Sequence, residues 1–328
     1  MIKPERIKLA NLPTPIFEFN KVNPDTSFTN LYIKRDDFSG VEMTGNKVRK
    51  LEFSFKEGLS QGADVFITCG GPQSNHARAT AAAAASLSKR SHLVLRSTEG
   101  YPDGNLFLDK LFGAEITFIT AEEYSERILE IMEEIKEDYA QKGLKAYIMP
   151  TGASNGIGLF GYYAAFEEIL EQEKQMGIKF DTICLTEGSG GTYAGLYAAN
   201  EIYKSGRNIL GFQISDINGD VTEEIVGITE EALKIGCHEE KISYDNIHMI
   251  YKYAGEGYAI ASKEIISFIK DTAKSTGVVF DPVYTGKAFF GLINEIKNNN
   301  PLLKGNVLFI HTGGLYGTFP QKELFELS

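Results

Sequence analysis

The stretch TICLTEGSGGTYAGL, residues 182–196, decides the fold. A short apolar and β-branched run, TICLT, passes through Glu187 into Gly188-Ser189-Gly190-Gly191-Thr192, and a helical pattern follows without a linker. Strand, tight glycine turn, helix: that order is half of a βαβ unit. Seven further runs repeat the strand half, namely LYIK (31–34), DVFITC (64–69), HLVLR (92–96), EITFIT (115–120), AYIM (146–149), ILGFQI (209–214) and VLFIH (307–311). Helical spacing near 3.6 fills 47–61, 75–89, 121–142, 157–175, 192–204, 260–275 and 287–298. Alternation on this scale predicts an α/β chain built on buried, mostly parallel sheet.

The same turn predicts a ligand. Glycines let a guest approach the backbone, and the free N–H groups at the start of the next helix make an anion cradle. The spacing does not complete GxGxxG, since Tyr193 stands where the third glycine is due, and no GK[ST] occurs. A compact phosphate ester therefore suits the turn better than a dinucleotide, with a plain βα turn as the bland alternative. Three more such turns follow strand runs: CGGPQSNHAR (69–78), PTGASNGIG (150–158) and HTGGLYG (311–317). In open α/β sheets ligands bind outside the carboxyl ends of the strands, so one face can collect all four turns.

Length and charge narrow the class. At 328 residues the chain exceeds the usual single domain, which predicts two lobes. A net charge of −11 argues against a nucleic-acid partner, which would need a basic stripe. No apolar run reaches the length of a membrane span and the start has no signal-like core, so a cytoplasmic protein is expected. Cys69, Cys184 and Cys237 are widely spaced and without CxxC pairing, and are expected to be buried thiols rather than a disulfide or zinc set.

TGNKVRKLEF (44–53) places Lys47 behind a Thr-Gly-Asn turn at the head of an amphipathic helix. The positive end of the helix dipole disfavours its ammonium, and a partly neutral amine is what carbonyl chemistry requires. A phosphate cradle together with such a lysine suggests pyridoxal 5′-phosphate.

These residues, with GGPQSNHARATAAAA (70–84), DPVYTGKA (281–288) and HTGG (311–314), resemble one family in order along nearly the whole chain. It is the D-cysteine desulfhydrase and 1-aminocyclopropane-1-carboxylate (ACC) deaminase family, pyridoxal-phosphate enzymes of the tryptophan synthase β-like type, fold type II. The resemblance implies two open, twisted, mostly parallel α/β lobes with the cofactor between them. Residues 50–155 would form the small lobe, and 1–49 with 156–328 the large cofactor-binding one.

The resemblance also implies roles. Lys47 would bond the cofactor's aldehyde, Asn75 would meet its 3′-oxygen, and Gly188, Ser189, Gly190, Gly191 and Thr192 would hold its phosphate. Ser74, Asn75 and His76 would receive the substrate's carboxylate at a helix N-terminus. Read locally, Ser74 or Asn75 is equally a helix cap. Tyr258 in GEGYAIAS and Tyr284 would stand over the substrate, near the departing group. His311-Thr312-Gly313-Gly314 would be the closing loop beside the pyridine ring, behind the residues that touch it. The alanines after His76 are read as close packing, and the remaining histidines, His92, His238 and His248, as ordinary core or surface.

Thr285 separates the two activities of the family. ACC deaminases carry glutamate there, which keeps the pyridine nitrogen protonated for ring opening of a substrate without an α-hydrogen. A neutral threonine stabilises the carbanion less, which β-elimination tolerates because the leaving group takes the electrons. Thr285 could also cap the following helix. The expected reaction is elimination from a small β-substituted amino acid, foremost D-cysteine, giving pyruvate, hydrogen sulfide and ammonia. ACC deamination and elimination from another substrate such as L-cysteate are the rivals. A carrier without turnover would need only Lys47 and the phosphate turn, and Ser74, Tyr258 and Tyr284 argue against it. By family likeness the protein is expected to be a homodimer.

Overall fold

The structure, a computed structural model, describes residues 1–25, 27–97, 102–214, 221–257 and 259–327. Along the chain run β1 (Ile16–Glu18), β2 (Thr29–Arg35), α1 (Asn46–Ser60), β3 (Val65–Gly70), α2 (Asn75–Ser86), β4 (Arg90–Arg96) and α3 (Gly104–Leu111). Then come β5 (Glu115–Ile119), α4 (Ala121–Glu126), α5 (Ile128–Gln141), β6 (Ala146–Ile148), α6 (Gly156–Met176), β7 (Thr182–Glu187) and α7 (Gly191–Ile202). The chain closes with β8 (Asn208–Gln213), α8 (Val221–Ile235), β9 (His248–Ile250), α9 (Lys263–Thr276), α10 (Thr285–Lys297) and β10 (Gly305–His311).

Among the described residues these strands make two sheets, ordered β1-β2-β10-β7-β8-β9 and β5-β4-β3-β6. Every pairing is parallel except β1 with β2. The central strands of the larger sheet are buried on both faces, which is why they read as continuous apolar runs. Tyr32, Leu308, Ile310, Ile183 and Leu185 face the cluster under α6, α7 and α8. Their neighbours Leu31, Ile33, Val307, Phe309 and Cys184 face the cluster under α9 and α10. In the smaller sheet Ala77 and Ala81 of α2 pack beside Leu93 and Leu95, and Ala79, Ala83 and Ala84 beside Phe66. The alanine run thus brings a helix close to a sheet, as small side chains allow.

A buried ion network holds α1 in place. Asp36, just beyond β2, takes two hydrogen bonds from Arg49, at 2.9 Å from Nε and 2.8 Å from Nη2. The same guanidinium bonds both oxygens of Glu168 on α6, each at 3.0 Å, and Lys34 Nζ meets Glu168 at 2.6 Å. Burial pushes the Asp36 carboxyl up, but Arg49 and Lys34 outweigh it and hold it below the usual carboxylate range. Arg49 is the second residue after Lys47, so the network sets where the first turn of α1 points.

Some local expectations need correction. The helical pattern over 121–142 is two helices, because Arg127, at φ −129°, breaks it between α4 and α5. The short strands β1 and β9 and the helices α3 and α8 were not foreseen. Cys69 and Cys184 are buried, but Cys237 is exposed. It sits at φ 48° in the turn after α8, where the chain leaves the core.

Candidate active site

Glycine at position 45 puts Lys47 over the end of the large sheet. At φ 97°, ψ −171°, Gly45 adopts a backbone conformation closed to other residues, and a Cβ there would stand 2.5 Å from the Thr312 carbonyl oxygen. The TGN turn therefore lies directly on the turn that follows β10, and Asn46 donates its N–H to Thr312 O at 3.1 Å. Asn46 Nδ2 also donates to Thr192 Oγ1 at 3.0 Å, drawing the starts of α1 and α7 together. Gly45→Ala should cost about 2 kcal/mol or more of stability and loosen the seat of Lys47. Denaturant titration beside cofactor-retention measurements would check both.

A cavity of about 400 Å³ opens between the two sheets, a size suited to a cofactor-bound small substrate. Four helices begin at its wall: α1 with Asn46 and Lys47, α2 with Ser74, Asn75 and His76, α7 with Thr192, and α10 with Tyr284. Their converging N-termini make it attractive to anions in an otherwise acidic protein. Lys47 Nζ lies beside the turn after β6, since a Cβ built on Gly152 would be 3.3 Å from it. Burial draws this amine down to about 8, with the Glu187 carboxylate opposing.

The glycine turn carries a built anion site. Gly190, at φ 77°, caps α7 without a side-chain hydrogen bond, leaving first-turn N–H groups for a guest. Lys50 is fully buried and donates to Ser154 Oγ at 3.0 Å, which in turn meets Ser189 Oγ at 2.8 Å. Burial and the neighbouring Lys47 pull Lys50 well below the ordinary lysine value. An anionic oxygen already rests on the turn: Glu187 Oε1 accepts from the N–H groups of Gly188 and Gly190, both at 2.6 Å. The turn, the lysine and this stand-in oxygen fit a phosphate ester.

On the other side Ser74 caps α2, accepting from Ala77 N at 3.2 Å, and its hydroxyl lies at the cavity wall. Asn105 Nδ2 donates to Asn75 Oδ1 at 3.1 Å, which turns the Asn75 amide so that its own N–H groups are the ones left to give. Thr68 Oγ1 donates to Met149 O, so its 2.8 Å contact with His76 Nε2 makes that nitrogen the donor and leaves Nδ1 a buried acceptor without a partner among the described residues. Burial, with Lys47 and Lys50 nearby, holds His76 neutral.

The structure thus brings Lys47, Ser74, Asn75, His76, Gly188, Ser189, Thr192 and Tyr284 to the lining of one cavity. Gly190 and Gly191 belong to the turn behind it. Thr285 is fully buried and off the wall, its hydroxyl donating to Asp281 Oδ1 at 2.7 Å. The cap of α10 is Asp281, whose carboxylate accepts the N–H groups of Val283, Tyr284 and Thr285. Tyr258 lies outside the described residues. Nearby, Lys287 Nζ donates to the carbonyls of Ile214, Ala254 and Gly257, at 3.3, 2.6 and 2.7 Å, tying the end of β8 to the turn after β9.

Sequence reasoning missed Lys50, Glu187 and a polar cluster on the small-sheet side. There Cys69 Sγ and Tyr124 OH each lie 3.1 Å from Thr151 Oγ1, and Arg96 stacks 5.3 Å from the Tyr124 ring. Lys50 was readable in part, one turn after Lys47 in TGNKVRK. Tyr124 was not, since only folding brings it to the cavity.

Comparison with known proteins shows the family and the fold. Residues 7–313 match the family described as pyridoxal-phosphate dependent enzyme. The bifunctional D-cysteine desulfhydrase/1-aminocyclopropane-1-carboxylate deaminase, mitochondrial, of Arabidopsis thaliana is 42% identical over 321 residues, covering 95% of this chain and 78% of the relative. A solved structure described as an ACC deaminase homologue superposes with a TM-score of 0.89 at 35% identity, covering 99% of this chain and 96% of that one. A hydrogen sulfide-producing enzyme from Fusobacterium nucleatum shares the fold, with a TM-score of 0.65 at 17% identity over 92% of this chain and 96% of its own.

Proposed function

We propose, from the premise that this chain belongs to the pyridoxal-phosphate dependent enzymes, that it cleaves a β-substituted amino acid by α,β-elimination, with D-cysteine as the substrate. The chain is a lyase that uses pyridoxal phosphate. The observation that carries the enzymatic reading is one cavity lined by a lysine drawn down to about 8, a serine-capped helix start and a tyrosine, and the choice of elimination rests on Thr285. D-Cysteine and water would give pyruvate, hydrogen sulfide and ammonia.

Pyridoxal phosphate, when bound, supplies an aldehyde for the substrate's amino group and a ring that draws electrons from the α-carbon. Gly188 to Thr192 and Lys50 would hold the phosphate, and Asn75 would donate to the ring's 3′-oxygen. Lys47 Nζ would be the amine that holds the cofactor's aldehyde and the base facing the α-proton, since burial draws it down to about 8 and leaves about a tenth of the free amine neutral at pH 7. Ser74 Oγ and the first-turn N–H groups of α2 orient the substrate's carboxylate. Tyr284, at the head of α10, hands its phenolic proton to the departing sulfur. Tyr258 joins it over the substrate.

Thr285 favours elimination over ring opening. It is neutral, and its hydroxyl proton is committed to Asp281, so it does not place a carboxylate against the ring. Incubation with D-cysteine, L-cysteine and ACC, with pyruvate, 2-oxobutanoate and sulfide measured, tests the assignment. Pyruvate and sulfide from D-cysteine are expected, and turnover of ACC with D-cysteine inert would falsify the reading. In Tyr284→Phe, kcat should fall about 10²-fold with KM little changed, as for a group acting mainly on the departing atom.

Residues 50–155 are proposed as the small lobe, a division consistent with the smaller sheet drawing its strands only from between Val65 and Ile148. A cytoplasmic homodimer completes the proposal. No helix among the described residues is long and apolar enough to cross a membrane, and two-fold dimers are the commonest oligomers. Light scattering of the purified protein tests the dimer.

A further inference from the structure

Glu187 opens the glycine turn and folds its carboxylate back onto it. Oε1 takes the N–H groups of Gly188 and Gly190 at 2.6 Å each, while Oε2 has no hydrogen-bond partner among the described residues. The residue is 1% exposed. Burial raises its pKa, and the two N–H groups, Lys50 and Lys47 oppose that rise. A buried carboxylate with one oxygen unsatisfied is an expensive arrangement. Its other oxygen takes what an anionic ligand of this turn would take: two backbone N–H groups converging on one point at the foot of α7, beside the Lys50, Ser154 and Ser189 chain.

We propose that Glu187 is a built-in competitor for the phosphate site, its carboxylate and a phosphate ester contending for the N–H groups of Gly188 and Gly190. This rests on reading the turn as the phosphate site. A phosphate monoester brings about −1.5 to −2 charges, and a second anion on the same two donors is strongly disfavoured in a buried setting. The ester therefore enters only as the carboxylate swings out or takes up a proton. Lys47 and Lys50 face it and attract both anions, the more highly charged ester more strongly, so they lower the cost of displacing the carboxylate without removing the competition. The sign follows. Below the raised pKa of Glu187 the carboxyl is neutral and yields the turn, whereas above it the ester must displace an anion. Glu187 thus weakens cofactor retention as pH rises and makes loading of the enzyme reversible.

The test uses 4-deoxypyridoxine 5′-phosphate, which keeps the ring and ester but has no aldehyde for Lys47, so the imine does not mask the phosphate term. Calorimetry on the cofactor-stripped protein at pH 6.5 and 8.5, in two buffers of different ionisation enthalpy, gives affinity and proton uptake together. Glu187→Gln and Glu187→Ala should each bind the probe about tenfold more tightly than the parent at pH 8.5, with the gap narrowing as the pH is lowered toward the raised pKa of Glu187. The parent should take up more protons on binding than either variant. Because Lys47 and Lys50 also take up protons when an anion binds, the diagnostic quantity is the excess uptake of the parent over a variant, and having two variants keeps the proposal testable if one folds poorly. Equal affinity and equal proton uptake in parent and Glu187→Gln, or weaker binding by that variant, overturns the proposal alone. Failure of parent and variants alike to bind the probe overturns the phosphate reading of the turn and the proposal with it.

Discussion

Lys47→Ala should abolish turnover, by at least about 10³-fold, and remove the yellow absorbance of the cofactor bonded to lysine. The size of the effect follows from two tasks resting on one nitrogen: bonding the aldehyde and moving the α-proton. A depressed pKa does not by itself single out Lys47, because Lys287 is also drawn down to about 8 by burial. Geometry separates them. Lys287 spends its ammonium on three backbone carbonyls, while Lys47 opens onto the cavity. Lys50 lies one turn further along α1 and points at Ser154 beside the glycine turn, so Lys50→Ala should keep the colour and weaken retention of the cofactor. The pH course offers a second check. Only the neutral amine attacks an aldehyde, so the rate at which stripped protein captures pyridoxal phosphate should rise with pH and level off above about 8, where Lys47 has lost its proton. For a solvated lysine the rise would continue to about 10.

Arg49→Met should be the most damaging change away from the cavity. It removes the cation that bonds Asp36 and Glu168 together, leaving the fully buried Asp36 carboxylate with the hydroxyls of Thr14 and Tyr162 and no cation in direct contact. Breaking a buried ion pair from one side costs about 3–5 kcal/mol, a fall in Tm on the order of 10 °C. Because the loss comes from the charge left behind, adding Asp36→Leu should restore part of it, so the double variant melts above the sum of the two single losses. Thermal melting of the four proteins decides this. If Arg49→Met melts with the parent, the network is not what seats α1.

Much of this was legible before folding. The eight long strand runs were each found within a residue or two, because strands buried on both faces are written as unbroken apolar runs such as VLFIH. β1 and β9 were not: IFE is mostly exposed and HMI carries a histidine among partly buried residues, so neither writes an apolar run. Helix α8 was missed although the sequence before VTEEIVGITEEALKI carries a start signal, Asp220 with Glu223 three residues on. At the site, Lys47, Ser74 and the glycine turn were readable because each sits where a strand or turn hands over to a helix, a junction marked by Gly, Ser and Asn. Glu187 and Tyr124 were not. One reads as the end of a strand and the other as a surface helix residue, and their nearness to the cavity comes from tertiary packing alone. Thr285 shows a different limit: its identity was informative, but only the fold shows that its hydroxyl is given to Asp281.

The most direct measurement is borohydride reduction of the purified, cofactor-loaded protein followed by peptide mass spectrometry. A pyridoxyl group fixed on Lys47, in the peptide that contains TGNK, is the result expected. A label on Lys50, Lys287 or any other lysine, or no label on a protein that still turns over D-cysteine, would contradict the account.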